Sequence, residues 1–107
     1  MSNGIKLVAA AAASGFLAVG TAYAQDPQVL LQRYKCYICH ADNESRTGPA
    51  YVDVAERYRG NRKAFLGLTA VVRQGTHGAG PWRMPPHPEV SEEDARKIVR
   101  YILSLKK

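Results

Sequence analysis

Apolar residues recur at helical spacing in four stretches of this sequence, and nowhere do they alternate with the period of two expected of a half-buried strand. The first stretch opens on Asp26-Pro27, an N-cap residue followed by the residue pre-shaped for the first helical position. Val29, Leu30, Arg33, Tyr34 and Tyr37 then carry a helix up to a pair of cysteines. A short second helix is expected over Val52 to Arg59, closed by Gly60. Asn61 is placed to cap a third, running to Gln74 with Phe65, Leu66, Leu68, Val71 and Val72 as apolar positions and Gly75 as its stop. Gly75 to Val90 holds three glycines and four prolines and reads as an irregular loop. The last helix starts at Ser91, whose followers Glu92, Glu93 and Asp94 suit the positive end of a helix dipole. Ala95, Ile98, Val99, Ile102 and Leu105 continue it at spacings of three and four, and Lys106-Lys107 suits its end. With no internal repeat, the pattern predicts an all-α chain of about four helices.

Ahead of the helices lies a different kind of segment. Met1 to Lys6 carries one positive charge, Leu7 to Gly20 is a run of small and apolar residues, and Thr21-Ala22-Tyr23-Ala24 ends in an A-x-A cleavage pattern. This is the signature of a secretory signal peptide over 1–24, with an apolar run too short for a comfortable membrane span. An uncleaved anchor is the alternative. Cleavage leaves 25–107 as a single domain of 83 residues, with no second apolar run and so no expected membrane insertion. A domain that small buries a modest share of its surface and usually needs a staple. Fourteen Lys and Arg against nine acids remain after the leader, a net charge of +5. A basic exported domain suggests an acidic partner or surface. Nucleic acid is set aside, because the compartment and the scattered charges both argue against it.

The chemistry is concentrated in Cys36-Tyr37-Ile38-Cys39-His40. Two thiols three positions apart can each add across a vinyl group of one porphyrin, with the adjacent histidine placed to ligate the iron from one face. The pattern reads as a c-type haem attachment site. A thioredoxin-like pair would need a preceding strand and more βαβ chain than is present. Half a zinc site would need a second ligand pair, which does not follow. A structural disulfide leaves His40 unexplained. One covalently bound haem c is therefore expected, on Cys36 and Cys39, and it also supplies the apolar staple that so short a chain needs.

Over nearly the whole segment after the leader, the chain resembles a small class I cytochrome c of the bacterial cytochrome c551/c552 type. The resemblance rests on Tyr34 to His40, on Thr47-Gly48-Pro49-Ala50-Tyr51 with Val54-Ala55, on Gly80-Pro81-Trp82-Arg83-Met84-Pro85-Pro86, and on the helix from Ser91 to Leu105. It implies an all-α fold wrapped around one haem, with Met84 as the sixth ligand opposite His40. Composition sharpens that implication: the chain has two methionines, and Met1 leaves with the leader. Pro85 and Pro86 restrict the backbone that holds the sulfur. His77 and His87 are rival ligands. Pro49 resembles the proline whose carbonyl accepts a hydrogen bond from the proximal histidine ring, a contact that fixes the ring and raises its donor strength. Two positions depart from the pattern. His87 stands where the family often has an asparagine, and Ala79 where it often has a tryptophan, so Trp82 does not inherit the propionate contact. Arg73 and Arg83 are candidate propionate partners by charge.

What the resemblance implies is electron transfer rather than catalysis. Iron filled by His40 and Met84 has no open site, and a thioether ligand favours the ferrous state. The expected role is a periplasmic one-electron carrier between redox partners of a respiratory or lithotrophic chain, working as a monomer. The alternatives are a haem subunit of a dehydrogenase or conduit complex, or a peroxidase or gas-binding haem protein. Lys35, Arg46 and Arg83 adjoin haem-contacting segments, so a basic rim is expected to meet an acidic docking patch.

Overall fold

Side-chain caps set the start of three helices. In α1 (Pro27–Arg33) the Asp26 carboxylate accepts the Gln28 N–H at 2.9 Å. In α3 (Arg62–Gln74) the Asn61 side chain accepts the Ala64 N–H at 3.1 Å. In α4 (Glu92–Ser104) the Ser91 hydroxyl accepts the Asp94 N–H at 3.1 Å. The remaining helix, α2 (Tyr51–Tyr58), has no side-chain cap. Its first amides, those of Tyr51 and Val52, instead donate to the carbonyls of Ala41 and Asp42, both at 2.9 Å. The orphan donors of that helix end are thus satisfied by the loop leaving the cysteine motif, which fixes the loop on α2. The structure, a computed structural model, describes residues 26–77 and 83–107. The expected leader at 1–24, together with Ala79, Gly80, Pro81 and Trp82, lies outside the described residues.

The first and last helices meet in the core. Leu30 and Leu31 of α1 cluster with Tyr51 of α2, Val90 of the loop, and Ala95, Ile98 and Ile102 of α4. Helix α4 packs against each of the other three helices, so it is the element on which the fold is assembled. Tyr34, Cys36 and Tyr37 pack onto the edge of this cluster, which brings the haem motif against the core. No strand occurs among the described residues, as the apolar periodicity predicts.

One local expectation is revised. Helix α1 does not continue to Tyr37: it stops at Arg33, Tyr34 caps it, and Lys35 takes a left-handed conformation (φ 63°, ψ 28°). That one residue turns the chain into a separate 3-10 turn, Cys36–Ile38. Leu66, one of the apolar positions of α3, is 59% exposed. Thr69, three residues on, is instead the buried residue of α3, its hydroxyl donating to the Phe65 carbonyl at 2.8 Å.

Candidate functional site

The 3-10 turn determines how the two thiols are presented. In that geometry residues i and i+3 eclipse, so Cys36 and Cys39 project from the same side of the turn. The amides of Cys39 and His40 both donate to the Cys36 carbonyl, at 3.2 and 3.0 Å, which holds the motif as one rigid unit. Both cysteines are half-buried and not bonded to each other. Burial pushes the Cys36 thiol above its usual range, with the Glu89 charge adding to the effect. Ile38, between the two cysteines, is 70% exposed and gives the motif an apolar outer face.

His40 is fixed from three directions. Its Nδ1 lies 2.8 Å from the Pro49 carbonyl. Because a carbonyl can only accept, that contact requires the proton on Nδ1 and leaves the lone pair on Nε2. The Tyr51 ring stacks on the imidazole at a centroid distance of 4.8 Å and an interplanar angle of 18°. Gly48 closes the third side. A Cβ built there would sit 2.7 Å from Nδ1 and 2.8 Å from Nε2, and closer still to Cε1, so the ring occupies the space a side chain would take. The Gly48 amide donates to the Cys39 carbonyl at 2.6 Å, tying this loop back to the motif it braces.

A polar lattice stands behind the motif. The hydroxyls of Tyr37 and Tyr101 donate to the two oxygens of Asp42 at 3.0 and 2.8 Å, and Gln28 donates to the Tyr101 hydroxyl at 3.0 Å. Tyr34 donates to Asp94 at 2.6 Å. Burial raises the Tyr51 hydroxyl well above the ordinary tyrosine range, and nearby Cys36, Tyr37 and Asp42 add to it. Tyr37 and Tyr101 are raised in the same sense, by burial first and by their bonds to Asp42 second.

Met84 belongs to the loop between α3 and α4 and is half-buried. Its amide donates to the Thr76 hydroxyl at 2.9 Å, and its carbonyl accepts from the Thr76 amide at 3.0 Å. Three residues on, the His87 amide donates to the Arg73 carbonyl at 3.0 Å, inside the last turn of α3. The loop then ends at Val90, in the same core cluster that receives Cys36. The end of this loop and Cys36 therefore share one core cluster.

The donors fit a haem c: two thiols on one side of a turn, an imidazole with Nε2 as its free lone pair, and one thioether. Some of the neighbouring charges have partners within the chain and others face solvent. Arg46 donates to the Tyr37 carbonyl at 3.0 Å and pairs with Glu44 at 3.2 Å, so much of its charge is spent locally. Arg73 donates through Nε to the Val90 carbonyl at 2.9 Å and lines a groove between α3 and α4 with Leu66, Glu92 and Arg96. Its observed work is to anchor the loop end. Lys35 and Arg83 are exposed. His87 faces Glu89, with Nδ1 3.3 Å from the carboxylate.

Sequence reasoning had singled out neither Gly48 nor Tyr51 for the histidine, nor Thr76 for the methionine. The signal for Gly48 is slight, a glycine before proline near the motif, and a threonine after Gly75 carries none.

The chain is similar to known proteins over most of its length. The cytochrome c family profile matches residues 24–106. Cytochrome c-551 of Pseudomonas aeruginosa is 38% identical over 95 residues, covering 88% of this chain and 90% of its own. Cytochrome c-552 of Nitrosomonas europaea is 35% identical over 96 residues, covering 89% of this chain and 91% of its own. The crystal structure of wild-type Nitrosomonas europaea cytochrome c552 superposes with a TM-score of 0.69 at 32% identity, over 74% of this chain and 99% of that one. That of the class 1 cytochrome MtoD from Sideroxydans lithotrophicus ES-1 gives 0.64 at 29% identity, over 76% and 94%.

Proposed function

This chain belongs to the cytochrome c family, and we propose that it is a periplasmic one-electron carrier with His40 Nε2 and Met84 Sδ as the axial ligands of its haem iron. As a small class I c-type cytochrome it carries a covalent haem c, a one-electron redox group. In this reading Cys36 and Cys39 provide the two thioether links, 1–24 is removed on export, and 25–107 forms the working domain. The observation that carries the ligand assignment is the orientation of His40. Pro49 takes its Nδ1 proton, Tyr51 and Gly48 confine its ring, and only Nε2 is left to donate.

The chain's own residues then set the redox behaviour. Pro49 makes His40 a stronger donor, which favours the ferric state, while a thioether from Met84 favours the ferrous state. The core packing and the bonds around both ligands hold their positions in either state, which keeps reorganisation small. With His40 and Met84 both held on the iron no position would be left for substrate, so the reading is a carrier and not an enzyme. Exposed Ile38 offers an apolar contact beside the motif, and exposed Lys35 and Arg83 offer charge, a combination suited to brief docking with an acidic redox protein. Among the described residues, no helix is long and apolar enough to cross a membrane.

The test is optical. Ferric wild-type protein should show the weak near-infrared-edge band of methionine-to-iron coordination, and Met84→Ala should lose it while keeping the covalent haem. A wild type without the band, or a variant that retains it, removes Met84 from the iron.

A further inference from the structure

We infer that Thr76 is a positioning residue for Met84, a side-chain latch that governs how readily the thioether leaves the iron; this rests on Met84 being the sixth ligand. The latch is a closed ring between two residues eight positions apart. The Met84 amide donates to Thr76 Oγ1 at 2.9 Å, and the Thr76 amide donates to the Met84 carbonyl at 3.0 Å. Both polar groups of the Met84 backbone are thus committed to one partner. The second bond is available to most residues at position 76, because it uses the backbone. The first needs a side-chain oxygen at the β-carbon, which among the ordinary residues points to Ser or Thr.

The ring is anchored to a rigid element. Thr76 follows Gly75, which caps α3 with its amide on the Val71 carbonyl. Gly75 has φ 75°, and a Cβ there would stand 2.5 Å from the Met84 carbonyl and 2.8 Å from the Pro86 nitrogen. A left-handed glycine therefore lets the methionine strand lie directly on the end of α3. On the far side, the His87 amide closes on the Arg73 carbonyl at 3.0 Å. Residues 84 to 87 are pinned at one end to Thr76, just past the glycine cap of α3, and at the other to Arg73 in its last turn, and the proline pair between the pins donates no hydrogen bond of its own. Among the described residues the hydroxyl of Thr76 is the only side-chain group that pins residues 84 to 87 to the end of α3, so it is the pin that substitution can remove.

Loss of the latch should act on ligand exchange and not on the fold. The Met84 amide is near solvent, so water can replace the lost acceptor at small cost to global stability. The strand that holds the sulfur would nevertheless lose one of its fixed points. A neutral hydrogen bond of ordinary strength corresponds to roughly a three- to tenfold change in an equilibrium.

The experiment compares wild type, Thr76→Val, Thr76→Ser and Met84→Ala as ferric holoproteins, with imidazole as the entering ligand. Thr76→Val keeps the branched shape and removes the acceptor; Thr76→Ser keeps the acceptor. Imidazole should bind Thr76→Val roughly three- to tenfold faster and tighter than wild type, Thr76→Ser should stay near wild type, and the denaturant midpoints of all three should agree closely. The Met84 amide of wild type should be protected from hydrogen exchange and become unprotected in Thr76→Val. Wild-type imidazole rates in Thr76→Val, or an increase accounted for wholly by a lower denaturant midpoint, would overturn the latch. So would an unprotected Met84 amide in wild type, a measurement that needs no variant to fold. Failure of the ligand reading looks different: wild type itself would bind imidazole as fast as Met84→Ala.

Discussion

Gly48→Ala gives the most direct test of how the histidine is held. The added methyl would stand 2.7 Å from His40 Nδ1 and 2.8 Å from Nε2, where ordinary contact begins at 3.4 Å. The ring must retreat by more than half an ångström, or the Gly48 loop must move and loosen its 2.6 Å bond to the Cys39 carbonyl. Either movement stretches the 2.8 Å contact between Nδ1 and the Pro49 carbonyl towards the limit of a useful bond. Overpacking of this kind costs about 1–3 kcal/mol, and losing a net hydrogen bond adds about 1 kcal/mol. For a domain of this size the sum lowers the melting temperature by about 10–25 °C. The potential should move as well. A weaker Nδ1 bond makes the imidazole a poorer donor and disfavours ferric iron, so the midpoint rises. If the bond is worth about 0.5–1 kcal/mol more in the ferric state, one-electron arithmetic gives a shift of about 20–40 mV. Calorimetry and film voltammetry on the holoprotein read both quantities. A variant melting within about 2 °C of wild type, with an unmoved potential, would show that Gly48 does not hold the ring. Pro49→Ala is the control: it keeps the accepting carbonyl, so its potential should change less.

Other consequences are open to measurement. Tyr51 holds its proton well above the ordinary tyrosine range when folded and releases it near pH 10 when unfolded, so unfolding releases protons there and stability falls as pH rises. The unfolding free energy from denaturant titrations should decline less steeply in Tyr51→Phe above pH 10, by about 1.4 kcal/mol per pH unit, and an unchanged slope would refute the assignment. Lys35 occupies the left-handed region without being glycine, at a cost of about 1–2 kcal/mol. Lys35→Gly should therefore be neutral or mildly stabilising and Lys35→Val clearly destabilising in chemical denaturation; equal effects would mean that the turn relaxes freely. If a basic rim steers docking, electron transfer to an acidic partner should slow with added salt, since the screening length is only about 8 Å at 0.15 M. Arg83→Glu should slow association more than it alters the potential, and a rate indifferent to salt would count against the rim.

The parts of the fold written in local pattern were legible beforehand. Asp26, Asn61 and Ser91 each cap the helix expected of them, because capping depends on one side chain and an amide two or three residues away. The glycine and proline density of 75–90 announces a loop for similarly local reasons, and its described residues, 75–77 and 83–90, form one. What escaped was set by non-local contact. Lysine is a good helix former, so nothing in α1 signals that Lys35 leaves the helix to aim the cysteines. Leu66 is apolar and lies within a helical pattern, yet it falls on the groove beside Arg73 and not in the core. Gly48 looks like a turn glycine until His40 is seen in the place of its missing side chain. Thr76 is an unremarked loop residue until Met84 is seen bonded to it. The His40–Pro49 contact was anticipated through the family resemblance and not through any spacing rule.

The pairing of α1 with α4 has a consequence for the order of events in the cell. Leu30 and Leu31 find their partners in Ile98 and Ile102, Tyr34 bonds Asp94, and Gln28 bonds Tyr101. Helix α1 thus cannot bury its apolar face until α4 has been made and folds back on it. Until then the segment carrying Cys36 and Cys39 stays open chain, with both thiols accessible for attachment of the porphyrin. Late closure by α4 keeps that site available, and the porphyrin then becomes part of what the helix closes upon.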